Sequence, residues 1–231
     1  EAKEIIEAER KGSGNVYILE QHPQKSFIPE VRSIMEEGLL GRVLHFELVF
    51  HNRLEESGEG EDRNYGDTSW RQENAFPLGN IFDGGIHAIA LLQSLFGPPE
   101  WITSLGSNLR PTFGEYDNIT SLFGYQEGLI GSFSHSGYLP NVQNYLIIRG
   151  SEGAMEVEER SITIRYADGG LEERRVPYES ERVRMWREIG RAIDSNNPAS
   201  YSTERALLDL QVLEAIEGSL KEGRRMELPK E

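Results

Sequence analysis

Residues 79–97 read GNIFDGGIHAIALLQSLFG, an apolar helix-like run stopped by Gly97 and followed by Pro98 and Pro99. Beyond it the chain changes period. TSLFGYQEGLIGSFS, NYLIIRGSEGAMEVEE and ITIRYADGGLEERRV read as successive hairpin arms, the last with an Asp168-Gly169 turn signal. Ahead of it, RVLHFELVFHN alternates Leu44, Phe46, Leu48 and Phe50 with Val43, His45, Glu47, Val49 and His51, which predicts a strand over 43–51 with one core face and one half-polar face. Two helices close the chain. One covers 181–195, with Val183, Trp186, Ile189, Ala192 and Ile193 as its apolar stripe, and the other 203–222, with Leu207, Leu210, Leu213, Ile216 and Leu220. Together these elements predict an α+β fold, a large, mainly antiparallel or mixed sheet with helices on one face.

The first residues follow a different pattern. In EAKEIIEAERKGSGNVYILE, Ala2, Ile5 and Ile6 share a helical face that ends at Gly12, and Val16 to Leu19 form a short apolar run of the kind found in parallel sheets. A helix leading into such a strand is half of a crossover unit, so the other half is expected upstream of Glu1. In SFIPEVRSIMEEGLLGRV, Ile28, Val31, Ile34 and Met35 mark a further helix face, with Gly38 as its stop. Residues 52–79 are polar and glycine-rich, with Trp70 in their middle, too long for an ordinary connection and suited to a lid or binding loop.

Charge narrows the choice of partners. With 24 Lys and Arg against 39 Asp and Glu in 231 residues, the net charge of -15 repels phosphate backbones and anionic lipid, so neither nucleic acid nor a membrane is expected as a partner. No apolar run approaches the roughly 20 residues that span a bilayer. The absence of cysteine fits a reducing compartment, and a cytoplasmic location is expected.

Two ionisable groups stand at the front of the apolar run. Gly84 and Gly85 are poor helix residues, which predicts a helix beginning near Ile86, with Asp83 at its mouth and His87 in its first turn. There the helix dipole disfavours an imidazolium, and a neutral imidazole beside a carboxylate suits proton transfer. A cap, a packed histidine and a tight turn account for the same spacing equally well. His45, Glu47 and His51 share a strand face, but strand rise puts the two histidines roughly 20 Å apart, too far for one ion, and His135 has no evident partner. No metal site is expected.

The stretch SWRQENAFPLGNIFDGGIHAIALLQSLFG resembles the central signature of the Gfo/Idh/MocA oxidoreductases: a Trp-Arg pair, a glycine cluster, then Asp, three residues, His and an apolar helix ending in Leu-Phe-Gly. SFIPEVRSIMEEGLLGRV resembles the family's linking helix, and GLIGSFS, IIRGSEGAMEVE and ALLDLQVLEAIEGSLKEGRRMEL resemble its sheet and final helix. The resemblance implies a two-domain NAD(P)-dependent oxidoreductase of sugars, cyclitols and related hydroxy compounds. Residues 1–22 would be the end of its Rossmann domain, and 23–231 its α+β substrate-binding and oligomerisation domain. His87 then matches the acid/base and Asp83 the carboxylate that orients the imidazole or binds a substrate hydroxyl. Trp70 and Arg71 match positions beside the substrate, while Gln21 and His22 match a segment near the nicotinamide, where family members often carry an arginine. The chain departs from the family at Ala90, where an Asp is common, and at Gly79-Asn80, where a glycine pair is expected.

Neither the family's glycine-rich phosphate turn nor its Glu-Lys-Pro motif stands in these residues. NAD or NADP is therefore expected in the full-length parent and not on this fragment. A small sugar-like molecule is the expected substrate. Leu122, Phe133, Ile147 and Ile148 place apolar residues on both parities of the strands, so a homodimer or homotetramer through the open sheet face is expected. An NAD-dependent glycoside hydrolase of the same fold and a non-catalytic sensor or scaffold are the alternative readings.

Overall fold

The computed structural model describes residues 1–54, 68, 78–110 and 114–229. Its centre is a nine-stranded sheet, β8-β7-β6-β5-β1-β4-β3-β2-β9. The strands are β1 (Val43–His51), β2 (Trp101–Ser107), β3 (Asn118–Gly124), β4 (Ile130–Ser136), β5 (Tyr145–Gly150), β6 (Gly153–Val157), β7 (Ser161–Tyr166), β8 (Leu171–Arg175) and β9 (Met226–Glu227). β1 and β4 run parallel at the middle, and the remaining pairs are antiparallel. The helices are α1 (Ala2–Lys11), α2 (Ile28–Glu36), α3 (Asn80–Phe96), α4 (Glu181–Ser195) and α5 (Thr203–Glu222). The expected α+β layout is the observed one, and the three quoted hairpins are β3–β4, β5–β6 and β7–β8.

Period-two alternation decides which side of the sheet is core. Phe46, Leu48, Ile102, Ile119, Phe123, Phe133, Leu146, Ile148, Met155, Ile162 and Ile164 all point to the face covered by helices and are buried there with Val31 and Ile34 of α2, Ile89 and Leu92 of α3 and Leu213 and Ile216 of α5. Burial of one such side chain contributes roughly 1.5–3 kcal/mol, so this seam is the main source of stability. On the opposite face Leu105, Leu122 and Ile130 are exposed. Phe133 and Ile148, which the strand pattern left open to either side, therefore belong to the core, while Leu122 faces outward.

Two glycines let aromatic rings lie flat on neighbouring strands. Phe46 pairs with Gly131 and Trp101 with Gly124 in register. A Cβ on Gly131 would stand 1.9 Å from the Phe46 ring, and on Gly124 1.9 Å from the indole. The space a side chain would take is filled by the ring, which in Phe46 also stacks on Phe96 of α3 at 4.3 Å between centroids.

Three local expectations differ from the structure. Residues 16–19 form no strand: Val16 to Ile18 are half-buried and Leu19 is exposed. A parallel strand exists only by pairing, and no described segment lies alongside to complete its ladder. On α4 the side facing the core is Met185, Ile189 and Ala192, while Val183, Trp186 and Ile193 are exposed. On α1 only Ile6 is buried, and the helix is held by Arg10 on Glu204 and by Glu9, which accepts the Thr203 hydroxyl at 2.6 Å. β2 and β9, which the chain's alternation did not announce, extend the sheet under α5, where Ser219 Oγ accepts the Ser104 amide at 2.9 Å.

Gly131→Ala is expected to lower stability by about 1–3 kcal/mol or more, because the added methyl meets the Phe46 ring with no room to relax. Urea denaturation reads this as a lowered midpoint, and an unchanged midpoint would show that the ring moves freely.

Candidate active site

Helix α3 begins at Asn80, a turn and a half before Ile86. Tertiary packing overrides the weak propensity of its glycines: Ile81 is fully buried, and Gly85 lies against the His135 ring, where a Cβ would be 3.7 Å from the imidazole. The shift in register moves both expected groups. Asp83 is in the first turn and His87 is one turn further in, on the same side of the helix. His87 is thus beyond the reach of the first-turn dipole effect, and its electrostatics are set by side chains.

The carboxylate that holds His87 is Glu20. Its Oε2 is 2.6 Å from His87 Nδ1, and its Oε1 accepts the backbone N–H of His22 at 2.9 Å. Glu20 is buried, with 7% of its side chain exposed, whereas His87 keeps 33% exposed. A carboxylate accepts, so Nδ1 carries the proton and Nε2 holds the exchangeable lone pair of the neutral ring. Burial disfavours the imidazolium, but the Glu20 hydrogen bond and charge, with the charge of Asp83, outweigh it and hold the His87 pKa above its ordinary 6.5. Arg182 opposes them weakly. The expected neutral-biased imidazole is corrected to one that readily takes a proton. Asp83 acts through its charge, and the orienting hydrogen bond belongs to Glu20.

His22 opens a short one-turn helix over His22–Gln24 and contacts His87, with ring centroids 5.1 Å apart. It meets Phe50 edge-on at 5.8 Å, and Phe50 stacks on His135 at 5.6 Å. His87, His22, Phe50 and His135 thus form a column of rings running from α3 to the sheet. Burial, then the charges of Lys25 and His87, push the His22 pKa down to about 3 against a bond to the His87 backbone. Burial likewise takes His135 to about 4, opposed by its hydrogen bond with the Phe50 carbonyl and helped by His51. The partner missing for His135 is that carbonyl, 2.8 Å from Nδ1. Both rings stay neutral in the physiological range, and His22 Nδ1 and His135 Nε2 are buried without a hydrogen-bond partner. Gln21 precedes this turn and donates nothing to the His87 pair; Trp70 and Arg71 lie outside the described residues.

A cavity of about 610 Å³ adjoins the column, lined by His22, Phe50 and Leu91 on one side and by the amides Asn141, Gln143 and Asn144 on the other. Lys25, Glu156, Glu158 and Glu159 also line it, and it meets the Glu20–His87 pair only through His22, since neither His87 nor Glu20 is among its described lining residues. Behind His87, on the far side of α3, Asp209 of α5 is buried and accepts from Gln93 and from the Tyr201 hydroxyl. Its burial raises the pKa to about 7 despite the Tyr201 bond, with the charge of Glu20 adding to the rise. Glu20, Asp209, Gln93 and Tyr201 escaped sequence reasoning because no fixed spacing links them to His87.

The family model of the GFO/IDH/MocA C-terminal domain matches residues 28–156. The chain belongs to this family. Its fold is that of solved oxidoreductases: one from Thermotoga maritima aligns over 98% of this chain and 66% of its own at 24% identity and a TM-score of 0.86. The aldose-aldose oxidoreductase of Caulobacter crescentus, complexed with glycerol, aligns over 98% and 68% at 19% identity and 0.81. Levoglucosan dehydrogenase, complexed with NADH and levoglucosan, aligns over 99% and 70% at 15% identity and 0.79. The chain spans about two thirds of the length of these structures. No curated protein matches the sequence.

Among the described residues no glycine-rich turn joins a strand to a helix N-terminus, the arrangement that cradles a pyrophosphate. Among the described residues there is also no helix long and apolar enough to cross a membrane.

Proposed function

We propose that this chain is the substrate-binding and oligomerisation part of an NAD(P)-dependent oxidoreductase acting on a sugar, cyclitol or related hydroxy compound. In this reading residues 1–22 end a dinucleotide-binding domain lying upstream of Glu1, and 23–231 form the substrate domain. The observation that carries it is the Glu20–His87 pair, with a third of the His87 side chain exposed and His22 between it and a polar-rimmed cavity. The chemistry requires such a pair. A hydroxyl whose carbon gives up a hydride must also lose its O–H proton, or a protonated carbonyl results. His87 Nε2 accepts that proton while Nδ1–H stays on Glu20, and the imidazolium is stabilised by Glu20 and Asp83. In the reverse direction the same nitrogen returns the proton. The raised pKa makes His87 Nε2 a stronger proton acceptor than a free imidazole.

The cavity supports the substrate class. Asn141 and Gln143 offer donors and acceptors to several hydroxyls, while the Asn144 amide is engaged with the His51 backbone and holds that rim in place. Related structures point the same way, being solved with levoglucosan and with glycerol. Trp70 and Arg71 stay in this proposal as substrate contacts, and Gln21 and His22 as neighbours of the nicotinamide.

The oligomer is proposed to form through the open sheet face. Leu105, Leu122 and Ile130 follow one another diagonally across β2, β3 and β4, exposed by 81%, 42% and 43%. Thr103, Thr120, Ser132 and Ser134 are their register neighbours on the same face. A diagonal apolar row on an uncovered antiparallel sheet suits back-to-back pairing about a two-fold axis.

In the full-length protein His87→Ala is expected to lower kcat by at least about a hundredfold with KM little changed. Glu20→Gln should cost less and move the limb of the pH–rate profile set by His87, the low-pH limb in the oxidation direction, to lower pH, since the partner that raises the His87 pKa is lost. Steady-state rates against pH decide this, and a full rate in His87→Ala would reduce the pair to a structural contact. For assembly, light scattering should give at least twice the 26.2 kDa chain mass, and Leu122→Glu should return a monomer. A monomer in the unmodified chain would contradict the interface.

A further inference from the structure

The C-terminal end of α3 borders a second concavity, away from His87. A cavity of about 300 Å³ is lined by Arg32 of α2, Arg184 of α4 and Arg205 of α5, together with Ser94, Ser200 and Tyr201. Three guanidiniums from three different helices meet there in a chain whose net charge is -15. Two of them are partly accounted for by the helix they face. Arg32 donates to the Ser94 carbonyl from Nε at 3.2 Å and from a terminal nitrogen at 2.5 Å, and Arg205 donates to the Gln93 carbonyl at 3.4 Å. Both carbonyls lie in the last turn of α3, where the helix dipole attracts cations, and the Gln93 carbonyl also accepts the Gly97 amide.

That role leaves most of the donors unused. A guanidinium carries five N–H groups, and Arg184 has a buried Nε with no partner at all. The neighbouring carboxylates are already engaged. Glu188 accepts the Ser200 amide at 2.5 Å and the Gln24 side chain at 3.5 Å, and Asp209, which feels the Arg205 charge, accepts from Gln93 and Tyr201. Pro23 and Pro29 supply a wall that cannot flex to fill the space. A concavity with converging forked cations, spare donors and a rigid rim is suited to a compact oxyanion, because planar guanidiniums match two oxygens at a time.

We propose that the cavity between Arg32, Arg184 and Arg205 is a binding site for a phosphate group, either free or as the ester of a small metabolite. The site is separate from the proton-transfer site and does not rest on the proposed oxidoreductase reading. Arg184 is its principal ligand, since it has no competing structural bond on Nε, and Arg205 and Arg32 complete the charge.

Isothermal titration of the protein with inorganic phosphate, at ionic strength held constant with sodium chloride, should give saturable binding at one site per chain. Arg184→Gln and Arg205→Gln should each weaken it by at least about tenfold, the worth of a charge-assisted hydrogen bond. Arg184→Lys, which keeps the charge but loses the fork, should fall between. Arg175→Gln, a change on β8 at the far edge of the sheet, should leave binding unchanged, and denaturation midpoints establish that each variant is folded. A small sugar phosphate binding more tightly than inorganic phosphate identifies an ester as the ligand; equal affinity identifies the free ion. Absence of saturable binding, or equal binding by the folded Arg184→Gln and Arg184→Lys variants and the unmodified chain, would overturn the proposal and leave the three arginines as caps of α3.

Discussion

The site depends on one buried carboxylate shared between two segments. Glu20 accepts the His22 amide with one oxygen and His87 with the other, and so ties the chain entering the domain to the helix that crosses its core. An ionised carboxylate at 7% exposure is costly unless both oxygens are satisfied, and here both are. Loss of either partner would leave a buried charge short of a donor. The tautomer, the orientation and the basicity of His87 all follow from this one arrangement.

The rest of the fold brings those two segments into register. The parallel β1–β4 pair at the middle of the sheet places Phe50 beside His135, and α3 packs over them with Gly85 facing the imidazole. His22 then fits between Phe50 and His87. Close packing makes such a column sensitive to small shifts, because neutral buried imidazoles have neither solvent nor charge to accommodate a gap. Phe46, stacked between Gly131 and Phe96, keeps α3 at its distance from the sheet.

Much of this was legible in the sequence, and the failures have physical causes. Alternation in 43–51 and the hairpin arms announced the sheet, since one buried face imposes period two. The two closing helices matched their bounds. Their stripes were harder to read: Val183, Trp186 and Ile193 are apolar yet exposed, because periodicity shows that a face exists and not what covers it. The expected start of α3 failed because propensity penalises Gly84 and Gly85 while burial of Ile81 and Gly85 rewards the helix. In the site, His87 and Asp83 were visible as a spaced pair. Glu20 was not, since a contact across 67 residues leaves no local pattern. The family signature pointed to His87 with Asp83 four residues before it, whereas the hydrogen bond on Nδ1 comes from Glu20, which the signature does not contain.

Nitrogen-15 NMR of the labelled protein across the neutral range reads the protonation state of His87 directly. The account predicts that His87 titrates above 6.5, that its neutral form carries the proton on Nδ1, and that Glu20→Gln lowers the midpoint, while His22 and His135 do not titrate in that range. The linked stability has the matching sign. A folded-state pKa raised above 6.5 contributes stability that is fully present below that value and is lost as pH rises through the folded-state midpoint. A His87 midpoint at or below 6.5, or a neutral form protonated on Nε2, would contradict the role assigned to Glu20 and with it the base proposed here.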